Sequence, residues 1–466
     1  MPGVARLLLA GFAPLLLAMT CKEDAGDPAT NRDSGESSGQ AGDGGMGGAG
    51  RASETGVPML PVDGSKPIGG GAPIGGEPPA TGEGGQAGEG GGPTSLWPLS
   101  NVISLAQQCA VVEDGSVWCW GSNVNGLLGL ADDTVSVPFA VRVPNIDDAV
   151  KVSTHGRHAC VLLADATVKC WGHTLGGLGN PDAVANAGRI SLPVPVLGLS
   201  DVVLLEAGPD VTCAVVEDGT LRCWGRPSTG VLELYSAGGS ALPIPIPGIA
   251  DAIGLTVGDA HACVWQGNAE LICWGRNRGH AVLGQFLGAV YPPSAIPLPL
   301  PVVDALAAYG FTCALGHSEL GDVKKMWCWG QSLNGRFGLP PLPPGNYARE
   351  PLEVPGLEGA VSLERMHDLG GCGLFQDGIA HCWGEDISDL PDANGVTSYE
   401  PVALAYWQGI AEISRLETGF CARLDGGVVE CVGTNGAGSL GSGKTSSELP
   451  FSDVPVPVMA GVYIEP

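Results

Sequence analysis

Residues 109–121 read CAVVEDGSVWCWG, and this stretch determines the fold of most of the chain. Apolar and β-branched residues flank the turn Glu113-Asp114-Gly115, which is typical of a β-hairpin closed by a type I turn, a left-handed glycine and a bulge. In that register Cys109 lies directly opposite Cys119. Directly opposed residues of a hairpin bring their β-carbons within reach of a disulfide.

The same hairpin recurs through the chain. Fourteen of the fifteen cysteines fall into seven pairs, whose first members recur every 49 to 59 residues. The turns at 217–219, 376–378 and 425–427 have the same register, whereas Ala166 and Ala269 replace the turn glycine and predict slight strain. A period of this length predicts a propeller or an array. After Cys109 with Cys119, the pairs are Cys160 with Cys170, Cys213 with Cys223, Cys263 with Cys273, Cys313 with Cys328, Cys372 with Cys382, and Cys421 with Cys431.

The paired cysteines are predicted to be disulfides within each hairpin, because an exported chain meets an oxidising compartment. Zinc sites are the alternative, but they favour two to four residues between ligands, and each separate hairpin would offer only two thiols. A tryptophan follows the second cysteine in six of the seven units. Because side chains alternate along a strand, this tryptophan and the cysteine point to opposite faces, so the strands are covered on both sides.

Each unit continues with a glycine-rich turn, such as 121–129, a variable loop, and a proline-containing strand such as 192–196. Proline cannot donate to a sheet ladder, so this strand belongs at the outer edge. A further apolar run, such as 201–205, leads into the next hairpin. Four strands per unit form the blade of a propeller. The sequence therefore predicts an all-β, seven-bladed β-propeller of four-stranded antiparallel blades over 96–466.

The string Cys-Ala-Val-x-x-Asp-Gly-x-x-x-Cys-Trp-Gly-x-Asn-x-x-Gly-x-Leu-Gly resembles the repeat of the regulator of chromosome condensation family. The resemblance spans about 95–466 and weakens after Trp224-Gly225 and Trp383-Gly384. It implies a seven-bladed propeller. The namesake's nucleotide exchange and chromatin docking are not expected of an exported, acidic chain. The bacterial branch resembles secreted binders, including a protein inhibitor of β-lactamases, which implies protein recognition on one rim and assigns no residues.

The N-terminal 95 residues predict export and tethering. Residues 1–20 carry Arg6 and an apolar run typical of a signal peptide. Cys21, the one unpaired cysteine, follows that run as in a bacterial lipoprotein precursor, in which the cysteine is lipidated. Leu17 stands one place earlier than that family prefers, so a plain secreted protein stays open. Residues 21–95, rich in glycine, proline, serine and acids, predict a flexible tether.

Charge narrows the choice of partners. The formal net charge is −27. Nucleic acid and anionic membrane surfaces are bound mainly through lysine and arginine, so the charge argues against both. A neutral or basic protein partner is expected instead. Membrane attachment is expected only through lipid on Cys21, and the propeller is expected to be a monomer.

Several motifs resemble functional sites. Residues 438–445 match the P-loop pattern, but that pattern needs a strand before it and a helix after it, so the segment is interpreted as a repeat turn. His155 and His158 resemble a ligand pair, yet position 158 is equivalent to His261 and to apolar residues elsewhere, which favours packing. The Asp-Gly turns lack the dense oxygen ligands that calcium requires. No catalytic set, cofactor site or metal site is predicted.

These observations favour a non-enzymatic, surface-tethered protein that binds a partner protein through rim loops, localised to the cell envelope by a lipid anchor. The alternative is an extracellular enzyme or enzyme inhibitor that uses the central channel or one rim. Acids and histidines converging on the axis would favour the enzyme. The variable loops that discriminate the two hypotheses are 131–137, 179–191, 225–241, 284–296 and 338–349.

Overall fold

The computed structural model describes most of the repeat region. The described residues are 95–130, 134–174, 177–184, 188–226, 230–278, 288–317, 324–340, 342, 346–366, 370–384, 398–416 and 419–462. The proposed signal peptide, Cys21 and residues 22–94 lie outside them. No helix among the described residues is long and apolar enough to cross a bilayer. Among the described residues, a short helix, α1 (Pro181–Val184), and the 3-10 turns Leu333–Gly335 and Gly436–Gly438 interrupt the strands.

The described residues form thirty strands in seven sheets, and the four strands of each blade are consecutive, antiparallel neighbours. The innermost strands are β2 (Val102–Ala106), β6 (Ala149–Thr154), β10 (Val202–Ala207), β14 (Ala252–Val257), β18 (Val302–Ala308), β22 (Ala360–Met366) and β26 (Ile410–Leu416). The second strands are β3 (Cys109–Val112), β7 (His158–Leu163), β11 (Val211–Val216), β15 (His261–Gln266), β19 (Phe311–His317), β23 (Gly370–Phe375) and β27 (Gly419–Leu424).

The third strands are β4 (Val117–Ser122), β8 (Val168–His173), β12 (Leu221–Gly225), β16 (Leu271–Arg276), β20 (Lys324–Gln331), β24 (Ala380–Gly384) and β28 (Val429–Thr434). The outer strands are β5 (Ser136–Arg142), β9 (Arg189–Pro195), β13 (Ser240–Pro245), β17 (Val290–Ile296), β21 (Tyr347–Val354), β25 (Ser398–Ala403) and β29 (Phe451–Pro457). Each inner strand contacts the inner strand of the next blade, and β26 contacts β2, so the blades close into a ring. The predicted seven-bladed propeller is confirmed.

The predicted hairpin register is confirmed in every blade. Cysteines that were paired from the sequence lie directly opposite each other on the second and third strands. All seven pairs are disulfides, with Cα atoms 4.0–4.1 Å apart. In chain order the bridges join Cys109 to Cys119, Cys160 to Cys170, Cys213 to Cys223, Cys263 to Cys273, Cys313 to Cys328, Cys372 to Cys382, and Cys421 to Cys431.

The fifth bridge spans a longer hairpin than the others. Cys313 and Cys328 are 15 positions apart, whereas the two cysteines of every other bridge are 10 apart. The register is nevertheless the same, because Cys313 is opposed to Cys328 and Thr312 to Trp329. In two of the shorter hairpins, Ala166 and Ala269 have φ of 63° and 64°, so both occupy the left-handed region at the position of the turn glycine.

The core lies between the blades. In each interface the disulfide of one blade and the residue after the second cysteine of the next blade belong to one buried cluster. In six blades the residue after the second cysteine is a tryptophan. Four of these tryptophans donate their indole N–H to a backbone carbonyl of the preceding blade, as Trp171 does to Leu127 at 2.8 Å. The accepting residue lies in the turn that follows the third strand. Gly441 is needed there because a β-carbon would lie 2.9 Å from Trp120 Cδ1.

The ring closes differently from what the repeat pattern indicates. Because residues 453–458 repeat the proline-containing pattern of the outer strands, the sequence predicts that they complete a blade beside the strand at 101–105. They do complete a blade, but the predicted pairing with that strand is wrong. Residues 453–457 belong to β29, the outer strand of the seventh blade, while 102–105 belong to β2, the inner strand of the first blade. Closure comes from β1 (Leu96–Pro98) and β30 (Met459–Gly461), which pair with each other. β30 also pairs in parallel with β5 at Ala140, giving a six-stranded sheet.

Loss of one disulfide should weaken the ring measurably. Replacing Cys160 and Cys170 together with alanine is expected to lower the free energy of unfolding by about 2–3 kcal/mol, because the bridge closes a loop of about ten residues. Denaturant unfolding measures this loss. Thiol titration of the denatured, unreduced domain from residue 95 onward should find almost no free thiol and, after reduction, fourteen. Two or more free thiols per chain before reduction would contradict the assignment.

Candidate functional site

The propeller has two faces of different composition. The hairpin face carries the turns between the second and third strands and the linkers between blades. The loop face carries the turns between the first and second strands, and the longer segments between the third and outer strands. Outer strands begin at Ser136, Arg189, Ser240, Val290 and Tyr347. The variable loops defined from the sequence therefore run into the outer strands and are shorter than expected.

The loop face of blades 2 to 5 carries a series of arginines, here called the arginine arc, which comprises Arg157, Arg226, Arg276, Arg278 and Arg336. Asp210 lies near the arc, with its carboxylate 3.1 Å from Arg157 and 3.8 Å from Arg226. Arg276 forms an ion pair with Glu233. The Arg157 side chain is 51% exposed. Neighbouring acids therefore position Arg157, Arg226 and Arg276, whose side chains remain partly exposed.

Tyr309 lies between two members of the arc. The Arg278 guanidinium carbon is 4.9 Å from the centre of its ring, and that of Arg336 is 5.6 Å away. Arg336 is buried and donates to the Tyr309 carbonyl at 3.1 Å. Stacking of guanidinium groups on an aromatic face holds both in place. Arginine and tyrosine are the residues that concentrate binding energy in protein interfaces.

A cavity of about 480 Å³ opens on the loop face beside the arc. Gln107, His155, Arg157, Asp210 and Arg415 line it. Donors and acceptors of both charges face this space, so it suits a polar protein surface better than an apolar ligand.

The central channel holds a second cavity, of about 350 Å³. Four carboxylates from four different blades converge on it, together with Lys151 and His155. The carboxylates are Glu206, Asp304, Glu364 and Glu412. Burial raises the pKa of Asp304 to about 6 and raises the pKa of Glu364 well above its usual range. The neighbouring carboxylates act in the same direction on the pKa of Glu364.

Several channel side chains connect adjacent blades. Asp304 accepts the Leu363 N–H at 2.7 Å, and Glu412 accepts the Leu105 N–H at 2.8 Å and the Arg423 Nε–H at 2.8 Å. These hydrogen bonds give the channel polar groups a structural role in joining the inner strands. Hydroxyl groups make equivalent contacts, in which a backbone N–H of a neighbouring blade is accepted by Ser104, Ser153, Thr256 and Ser414.

His158 and its equivalent His261 lie between blades. His158 Nε2 is 2.7 Å from Thr212 Oγ1, and His261 Nε2 is 2.8 Å from Thr312 Oγ1. Both histidines are fully buried, and burial lowers the pKa of His158 to about 4. The interpretation of position 158 as a packing position is therefore confirmed, and His155 alone of the pair lines the channel.

The other motifs that resemble functional sites are turns. Residues 436–438 form a 3-10 turn, and the Leu440 N–H is accepted by the Asn435 side chain at 3.0 Å, so the P-loop pattern lies in a repeat turn. Asp114 accepts the N–H and the hydroxyl of Ser116, and this lowers the pKa of Asp114. In the described part of the chain no group of three or more His, Cys, Asp or Glu residues could hold a metal ion.

Sequence reasoning missed the arginine arc and the channel carboxylates. Alignment of the inner strands would have shown that Glu206 and Glu364 occupy equivalent positions, four residues after the first residue of their strands. Asp304 and Glu412 are likewise equivalent, two residues after the first. Arg226 and Arg276 are equivalent, since each directly follows the Trp-Gly after the second cysteine, whereas Arg157, Arg278 and Arg336 come from other positions in different loops. No repeat pattern identifies these last three.

The fold and its bridged hairpins define a disulfide-braced, seven-bladed β-propeller. Residues 114–162 match the regulator of chromosome condensation (RCC1) repeat, which supports the resemblance to that family. Over 148 residues the chain is 30% identical to protein pim1 of Schizosaccharomyces pombe, covering 27% of this chain and 28% of that protein. Over 145 residues it is 29% identical to the mouse regulator of chromosome condensation, covering 30% of this chain and 34% of that protein. The chain thus matches about a third or less of these relatives' length.

Solved structures share the fold over more of the chain. Prp20p from Saccharomyces cerevisiae, described with its binding to Gsp1p and histones, has a TM-score of 0.62 at 18% identity and covers 77% of this chain and 90% of its own. Human WBSCR16 has the same TM-score at 16% identity, and the match covers 74% of this chain and 94% of WBSCR16. At these identities the similarity establishes the architecture.

Proposed function

We propose that this chain is a non-enzymatic binding protein, whose propeller recognises a partner protein through loops of the loop face. The arginine arc and Tyr309 carry this proposal. Arg157, Arg278, Arg336 and Tyr309 are not repeated from blade to blade, whereas the repeated cysteines and tryptophans are buried in the core. Recognition concentrates on loops that a rigid scaffold positions.

Two further observations support protein recognition. Prp20p, which shares the fold, is described as binding Gsp1p and histones, and yeast RCC1 (Prp20) as bound by Kap60. The net charge of −27 still favours a neutral or basic partner overall. At the arc itself, the partner would present carboxylates or carbonyl oxygens, since guanidinium groups donate to these.

Loop exchange tests this function. Replacing residues 279–287 with a short neutral turn, or changing Arg157 and Arg278 to alanine, is expected to reduce capture of the partner at least tenfold in pull-downs from the organism's own envelope and medium. Removing two charged contacts at a desolvated interface accounts for a loss of this size. Lys444→Ala is the matched control, because Lys444 is a cation outside the arc.

Capture that survives every loop exchange would contradict the proposal. A second candidate, an extracellular enzyme or enzyme inhibitor that uses the channel, is favoured by one observation: Asp304 and Glu364, carboxyl groups with raised pKa, face the channel cavity with His155. Perturbed acids in a cleft are typical of general acids. A hydrolytic activity abolished by Glu364→Gln would support that candidate.

We further propose that the chain is exported and held at the cell envelope by lipid on Cys21, with 22–95 as a flexible tether. A chain of this composition and length has a typical reach of roughly 45–50 Å. Cys21→Ser is expected to release the protein from the membrane fraction or to block its processing, because the acceptor sulfur is lost. Fractionation and gel migration unchanged from wild type would show that Cys21 carries no anchor.

A further inference from the structure

A ring of exposed aliphatic side chains surrounds the channel mouth on the hairpin face. These side chains are 42–55% exposed. Recurrence of exposed aliphatic residues at one position of successive inner strands distinguishes them from scattered surface residues. Six blades contribute the second residue of their inner strand, and in the seventh blade this residue is Ala411. The six residues are here called the apolar ring: Ile103, Val150, Val203, Ile253, Val303 and Val361.

A β-bulge explains why these side chains face outward. In every blade the pairing of the inner strand shifts between its first and third residues, as between Val202 and Leu204. The second residue therefore has no partner across the pair. Its side chain leaves the blade interface, where the first residue stays buried. The repeat thus places an apolar group in solvent at each inner strand.

Acidic residues encircle the apolar ring. The described hairpin turns and interblade linkers contain no lysine or arginine. The cations of the adjoining strand ends offset part of the charge: Arg142, Lys169, Arg222, Lys324, Lys325 and Arg423. The acids of these turns and linkers are here called the acid collar: Glu113, Asp114, Asp147, Asp148, Asp165, Asp201, Glu217, Asp218, Asp251, Glu270, Glu358, Asp377 and Asp425.

Backbone hydrogen bonds keep the collar beside the ring. The Gly219 carbonyl of one hairpin turn accepts the N–H of Ala252, and the Gly115 carbonyl accepts that of Ala149, each at 3.0–3.1 Å. Ala252 and Ala149 directly precede ring residues. The acids of each turn are thus held next to the apolar residue of the following blade.

The channel entrance adds an aromatic surface. Ile253 of the apolar ring lines the channel cavity together with Trp265 and Asp304. The indole of Trp265 lies against Gly254, where a β-carbon would be 1.9 Å from Trp265 Cε2. The other inner strands have a residue with a side chain at this position. Glycine here therefore makes room for the indole. A cationic side chain entering here meets both an aromatic ring and a carboxylate.

We propose that the apolar ring and the acid collar form a second docking surface, which binds an amphipathic, lysine- or arginine-rich polypeptide segment of a partner protein. Apolar contacts at the centre and charged contacts at the rim are the arrangement of protein interfaces. The collar repels a second copy of this acidic face, anionic lipid and nucleic acid. This surface lies on the face opposite the arginine arc, so the chain has two binding faces.

Fluorescent peptides of about twelve residues test the docking surface on the full chain. A peptide alternating leucine and lysine is expected to bind saturably, and to bind about tenfold or more weakly when salt is raised from about 50 to 500 mM. Peptides alternating leucine with glutamate, or serine with lysine, are expected to bind at least tenfold more weakly than the leucine–lysine peptide. The first lacks the positive charge and the second lacks the apolar contact.

Two pairs of substitutions locate the binding. Val203→Ser with Ile253→Ser is expected to weaken binding about tenfold. Val124→Ser with Val454→Ser is the matched control, because these valines are 63% and 60% exposed but lie outside the ring.

A third pair tests the collar. Asp218→Asn with Asp251→Asn is expected to reduce the salt dependence of peptide binding, because two carboxylates of the collar are neutralised. Asparagine keeps the acceptor oxygen of Asp218 and tolerates the φ of 53° at Asp251.

Equal binding of the leucine–glutamate or serine–lysine peptide would overturn the proposal, as would wild-type affinity in both the ring and the collar variants. Binding of anionic phosphatidylglycerol vesicles in place of the peptide would do the same. An unchanged unfolding midpoint establishes that each variant is folded. Exchange of the loop-face segment 279–287 should leave peptide binding intact, so failure of the loop-face function and failure of this docking surface are distinguishable.

Discussion

Trp171→Ala is expected to lower the free energy of unfolding by about 3–5 kcal/mol, the range for loss of a large buried aromatic side chain. Trp171 is fully buried between the first and second blades, where it packs with the disulfide of Cys109 and Cys119 and donates to the Leu127 carbonyl at 2.8 Å. Denaturant unfolding followed by circular dichroism measures the loss.

Trp171→Phe separates packing from the hydrogen bond. Phenylalanine keeps most of the apolar volume but leaves the Leu127 carbonyl without the indole donor, so a smaller loss of about 1–2 kcal/mol is expected. Val124→Ala, at an exposed site, should change stability by less than about 0.5 kcal/mol. A loss below about 1 kcal/mol for Trp171→Ala would show that the blade interface does not depend on this residue.

The second large effect is an increase in stability. Asp304→Asn is expected to stabilise the propeller by about 1–3 kcal/mol at about pH 7.5. Burial raises the pKa of Asp304 to about 6 in the folded state, from an ordinary value of 3.8, so ionisation favours unfolding. The stabilising contribution of the protonated group is fully present below pH 3.8 and is lost as pH rises through about 6. Glu364, whose pKa is also raised, acts in the same direction.

Thermal unfolding between about pH 4.5 and pH 7.5 tests this sign. The wild type should lose stability across the window relative to Asp304→Asn, whose profile should be flatter. The channel also contains Glu206, Glu364, Glu412 and Lys151, which are the same residues in the wild type and in the variant. A steeper profile for Asp304→Asn than for wild type would refute the assignment.

Asp218→Asn provides a control of opposite sign. Hydrogen bonds from the hydroxyl and the N–H of Thr220 lower the pKa of Asp218, so its ionised form stabilises the folded state. That contribution is present above the ordinary pKa and is lost as pH falls through the lowered one. At neutral pH this substitution should therefore not stabilise the propeller.

Local, repeated features were predictable from the sequence. Hairpin register, the bridged cysteines and the proline-bearing outer strands follow from turn chemistry and from alternation within about fifteen residues, and seven copies reinforce each inference. The buried tryptophans follow from alternation relative to Cys119 and its equivalents. The structure confirms each of these features.

Long-range features were not predictable in this way. Pairing of Trp97 with Ala460 joins segments that have no equivalent in the repeat, so no periodicity indicates it. Convergence of Asp304 and Glu364 depends on which inner-strand positions face the axis. The β-bulge in each blade changes the alternation of side chains along the inner strand, and with it these positions. Tyr309 and Arg278 come together from different turns, whose conformations no motif specifies.

The joint between β1 and β30 determines when folding can finish. Each blade from the second to the seventh is assembled from neighbouring segments, so it can form as soon as its own stretch of chain is available. The first blade is different, because its outer strand β5 is covered by residues from the far end of the described chain. Until Met459–Gly461 arrives, β5 presents an open edge around Ala140, and such edges recruit other chains. The first blade is therefore the first to be synthesised but can be completed only after β30 has been synthesised.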